Sequence, residues 1–111
     1  EERENTMTNT FAKKVLNLKE AIEYQENSIV SKTITNNTNS SLTLFAFDAG
    51  QSIASHSAPV DAVVQAVDGE VEITISGEKF LLKEGDIILM PKGEPHGLEA
   101  KTKFKMALFK V

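Results

Sequence analysis

The sequence contains no cysteine. That excludes disulfides, thiolate nucleophiles and zinc–thiolate sites together. It also lacks any cluster of lysine or arginine, and its net charge is −4. Nucleic-acid binding rests on neutralising phosphates, so no nucleic-acid partner is expected. No apolar run approaches the roughly 20 residues of a membrane helix, so no membrane partner is expected either. The opening stretch, EERENTMTNTF, is polar and holds no hydrophobic signal region. A cytoplasmic location follows as the expectation. No internal repeat or linker is present. At 111 residues the chain has room for one compact domain and not for two. We expect a polar, disordered stretch over 1–10 and a single domain over 11–111.

What is present, from Ile29 onward, is a series of short apolar runs broken by turn residues, the pattern of an all-β domain. SIVSKTIT and LTLFAFD flank the polar loop NNTNSS. The clearest hairpin is EVEITISGEKFLL, in which Val71, Ile73 and Ile75 alternate with polar residues. Gly77 supplies the positive φ of a tight two-residue turn, and the chain returns through Phe80, Leu81 and Leu82. Asp68-Gly69 and KEGD mark the neighbouring turns, and KFKMALFKV closes the domain. Such spacing predicts an antiparallel sandwich or small barrel. Ahead of it, NLKEAIEYQ places Leu18, Ala21 and Ile22 at helical spacing behind Asn17 as N-cap, which predicts a short N-terminal helix, or a helical turn, lying across one end of the barrel. Phe45 and Phe47 alternate with Leu44 and Ala46, so that strand is apolar on both faces. One face fills the barrel. The other calls for cover, from a second sheet or from a homodimer partner.

The chain has two histidines, His56 and His96. His96 lies in GDIILMPKGEPHGLEA, where Gly85, Pro91, Gly93 and His96 resemble the second motif of the cupin family, G-x5-P-x-G-x2-H-x3-N. Ala100 stands in place of its final asparagine. The stretch from Gly50 to Gly69 is similar to the first motif, G-x5-H-x-H-x3-E-x6-G. Gly50, His56 and Gly69 match it, while Ala58 replaces the second histidine and Ala62 the glutamate. The resemblance implies an antiparallel jelly-roll β-barrel, usually dimeric. In the family, the motif histidines and glutamate hold a divalent metal inside the barrel. Only His56 and His96 carry over.

Period-2 alternation would put His56, Ala58, Val60, Ala62, Val64 and Ala66 on one interior face if the strand ran unbroken. That face is poor in ligands, whereas catalytic metal sites generally keep three protein ligands. Asp61 becomes a third metal ligand beside His56 and His96 only if Pro59 breaks the alternation. Gln65 has the same parity problem. Several readings stay open. One is a divalent metal (nickel, manganese, iron or zinc) on His56, His96 and Asp61. A second makes His56 and His96 a metal-free catalytic acid/base pair. Two imidazoliums about 4 Å apart in a partly screened interior repel by roughly 4 kcal/mol, so such a pair titrates as a unit. A third is a barrel that binds or senses a small organic ligand without catalysis, and a fourth a purely structural or interaction barrel. Met90 and Met106 read as core filler rather than soft-metal ligands. The expectation common to most of these is a small-molecule ligand in the barrel, with enzyme or binding module undecided.

Overall fold

A computed structural model describes residues 11–111. The stretch 1–10, expected to be disordered, lies outside the described residues. Among the described residues nine strands follow one another: β1 (Ile29–Asn36), β2 (Ser41–Phe47), β3 (Ser52–His56), β4 (Ala62–Asp68), β5 (Glu70–Ile75), β6 (Glu78–Lys83), β7 (Ile87–Met90), β8 (His96–Ala100) and β9 (Phe104–Lys110). They form a five-stranded sheet in the order β1-β2-β9-β4-β7 and a four-stranded sheet in the order β3-β8-β5-β6. Every pairing is antiparallel. The expected β5–β6 hairpin turns on Ser76 and Gly77, at φ 49° and 85°. Positive φ at both central residues gives a turn whose twist matches that of the flanking strands. Among the described residues, no helix is long and apolar enough to cross a membrane.

The two sheets close on one apolar interior. Phe47, Val64, Val71, Ile73 and Phe104 are fully buried there. The rings of Phe47 and Phe104 pack at 5.6 Å between centroids. Each such side chain contributes about 1.5–3 kcal/mol by leaving water, so this interior is the main source of stability for the frame that carries the site.

Over residues 17–25 the helical turn, not the full helix, is the form present. Asn17 does cap a turn: its Oδ1 accepts from the amides of Lys19 and Glu20, at 3.0 and 3.2 Å. The turn stops there because the backbone carbonyls beyond it have partners on the sheet. Lys105 Nζ donates to the Lys19 carbonyl and Lys32 Nζ to the Ala21 carbonyl. Tertiary donors replace the i+4 amides that a helix would use. The segment therefore crosses the outside of the five-stranded sheet as a strap. Phe11, Leu16, Leu18, Ile22 and Tyr24 cover Leu42, Leu44 and Ala46 of β2 and Ala107 of β9. Hence the second apolar face of β2 is buried by the chain's own strap, and it gives no reason to expect a homodimer. Among the described residues, large exposed apolar side chains on edge strands lie elsewhere: Leu81 of β6 is 54% exposed, and Ile87 and Leu89 of β7 are 66% and 50% exposed.

Asp48, after β2, ties the strap to the barrel. Its carboxylate accepts from the amides of Asn27 and Ala49, at 2.7 and 2.9 Å. Those two donors hold its carboxyl below the usual carboxylate range.

Candidate functional site

His56 ends β3 and His96 begins β8, and the register makes them direct cross-strand partners. Two local features bring this about. The β3–β8 register slips between Ile53 and His56, a bulge that lets both side chains reach the interior although they are an odd number of residues apart. Gly97 gives the bulge room: a Cβ there would stand 3.1 Å from the Ile53 carbonyl oxygen and 3.2 Å from the Ser55 nitrogen. His96 is positioned from the other side as well. The Pro95 carbonyl accepts from the Ser76 amide at 2.8 Å, and the Glu94 carboxylate from the Ser76 hydroxyl at 3.0 Å.

The two imidazole rings lie 4.6 Å apart, centroid to centroid, at 63°. His96 is 5% exposed, whereas His56 sits exposed at the rim. Each ring makes the same local hydrogen bond. His56 Nδ1 meets the Ala54 carbonyl at 3.1 Å, and His96 Nδ1 meets the Glu94 carbonyl at 3.2 Å. A carbonyl oxygen only accepts, so each Nδ1 carries the proton and donates it. In the neutral ring this leaves Nε2 with a free lone pair. Two protonated rings at this separation repel.

Both histidines line a cavity of about 220 Å³. Its walls are apolar: Phe45 and Ile53, then Leu98, Met106 and Leu108, with Met90 beyond them. Ala58 and Ala62 line it too. Thus the two positions where the family's first motif carries ligands face the same space as the histidines. The rest of the expected interior row divides. Val64 and Ala66 are in the core, but Val60 turns instead to a groove beside Asn36 and Val111. Alternation fails because residues 57–61 form a loop, not strand. This loop is docked on the next one: the Gly93 amide donates to the Ala58 carbonyl at 2.9 Å.

Asp61 is not brought to the histidines. It is exposed, and its Oδ1 accepts from the Lys92 amide at 2.7 Å, so it fastens the loop bearing Pro91 and Gly93. Gln65, on β4, does not line the cavity. Among the described residues, no group of three or more His, Cys, Asp and Glu side chains is placed to hold a metal ion. Two imidazoles between alanines do not fit the four-ligand metal set that the motifs imply.

Of the polar residues lining the cavity, sequence reasoning missed Lys110. The signal was available. Phe104, Met106 and Leu108 form the inward row of β9, and period 2 adds Lys110 to its end.

The comparisons with known proteins agree with this architecture. No curated protein matches the sequence. The chain is 38% identical to a conserved protein of unknown function from Streptococcus pyogenes, with a TM-score of 0.85, over 89% of this chain and 87% of that one. It is 41% identical to a cupin 2 conserved barrel domain protein from Leptotrichia buccalis, TM-score 0.83, over 86% of this chain but 47% of that one. A cupin superfamily protein from Desulfitobacterium hafniense is 26% identical, TM-score 0.84, over 89% and 91% of the two chains. The family model for the cupin domain matches residues 43–111, which hold both motifs and eight of the nine strands in whole or in part. With the jelly-roll topology and the motif glycines and prolines in place, the chain belongs to the cupin family.

Proposed function

We propose that this cupin binds a small organic molecule in its barrel cavity without a metal, and that His56 and His96 serve there as a proton-accepting pair. The observation that carries this reading is the placement of two rings 4.6 Å apart on the wall of an apolar cavity, each with its Nδ1 committed to a carbonyl. A neutral pair so held offers Nε2 lone pairs to a hydroxyl or N–H of a ligand, or takes one proton from it. The cavity's about 220 Å³ lies below the range of about 300–1,000 Å³ usual for drug-sized ligands. That favours a ligand of roughly seven non-hydrogen atoms, at about 30 Å³ per water-sized unit.

The test is a fragment set of that size, titrated into protein carrying ¹⁵N-labelled histidine. Bound fragments are expected to move the ring signals of both His56 and His96. The same fragments should fail on Ala58→Leu, which fills the cavity from a half-buried loop position. Fragments that bind without touching either histidine signal, or equally to the filled variant, would refute the reading.

A further inference from the structure

The polar residues that line the cavity, among those described, are His56, His96 and Lys110, and no acidic side chain joins them. Lys110 stands at the exposed end of β9, opposite Ala62 of β4. Among the described residues no carboxylate lies within ion-pair distance of its ammonium. Asp61, its neighbour across the sheet end, gives its Oδ1 to the Lys92 amide and its carbonyl to the Val111 amide. Lys110 lines both this cavity and the neighbouring groove beside Asn36 and Val111, so the cavity has a lysine at its edge and apolar walls behind it. An ammonium is a donor with no acceptor capacity, whereas a neutral imidazole with Nδ1 committed presents an acceptor. Among the cavity's polar residues Lys110 is the one with a permanent positive charge at neutral pH, and an anion is matched by it.

We infer that the ligand is a small carboxylate with an apolar body, its carboxylate held by Lys110 at the cavity mouth and its body in the barrel. This rests on the proposed function above and adds the ligand's charge. Coulomb attraction and charge-assisted hydrogen bonds at a solvent-facing mouth are worth roughly tenfold in affinity.

Hexanoate and hexanamide are suitable probes, because they match in size and differ in charge. Both are titrated into the full chain and into Lys110→Met, which keeps an apolar stem and removes the ammonium. In the parent, hexanoate is expected to bind roughly tenfold more tightly than hexanamide. In Lys110→Met that advantage should vanish, because hexanoate loses a charge-assisted partner and hexanamide only a neutral one. Equal binding of the two probes by the parent would overturn the carboxylate inference and leave the cavity reading standing. An advantage that survives in Lys110→Met would overturn the role of Lys110. Failure of both probes to move the histidine signals would overturn the inference and the cavity reading together.

Discussion

The double variant Ala58→His/Ala62→Glu is expected to gain one nickel ion per chain, and with it a nickel-dependent rise in melting temperature that the parent lacks. Both positions line the cavity with His56 and His96, so the new imidazole and carboxylate enter the space those rings already face. Four such ligands displace more metal-bound waters than two, without a further association step. Ala62 is buried and Ala58 half-buried, so the larger side chains cost about 1–3 kcal/mol through overpacking. Metal reverses that. At free nickel a hundredfold above its dissociation constant, binding adds about 2.7 kcal/mol. At about 4 °C per kcal/mol, the nickel-loaded variant should melt about 10 °C above its metal-free form. Metal stoichiometry and melting with and without nickel, on parent and variant, measure this. A folded variant that takes up no metal would mean that positions 58 and 62 do not converge on the histidines.

The substitution Gly69→Ala is expected to cost about 3 kcal/mol or more, against about 1 kcal/mol for Gly50→Ala. Both glycines have positive φ, 77° and 85°, which a side chain disfavours. Their surroundings differ. A Cβ at Gly50 meets nothing within 4 Å, while one at Gly69 overlaps the Lys103 carbonyl oxygen and crowds Thr102 Oγ1. The Thr102 hydroxyl accepts from the Glu70 amide at 3.0 Å and donates to the Lys103 carbonyl at 2.8 Å. Backbone and hydroxyl would both have to move. They belong to the connection between β8, which carries His96, and β9, which carries Lys110. Urea unfolding of the two variants gives the difference directly. Equal losses would show that the turn at Gly69 yields more easily than its packing indicates.

The parts of this structure legible in the sequence are those determined by local chemistry. Gly77 turns the β5–β6 hairpin because its φ is positive, and that need is visible from one residue and its alternating neighbours. The motif glycines and prolines similarly mark the loops that set His56 beside His96. What stayed hidden depends on partners distant in the chain. The segment after Asn17 has helical spacing, yet it runs as a strap because Lys32, 11 residues beyond its acceptor, and Lys105, 86 residues beyond, take its carbonyls. Alternation assigned Val60 to the interior, but residues 57–61 leave the strand, and no local rule sets where they rejoin it. Asp61 was a reasonable ligand candidate by residue type; its partner, the Lys92 amide, is a tertiary fact. Lys110 was legible from the period of β9, but a lysine near a chain end reads as solvated until its row is followed inward.

The most direct test of the central claim, a metal-independent His56/His96 cavity, is elemental analysis of the protein purified without a metal-affinity tag. Nickel, manganese, iron and zinc together are expected far below one atom per chain, with histidine ring signals unchanged by a chelator. One equivalent of any of these metals, released when His56 or His96 is replaced by alanine, would contradict the claim.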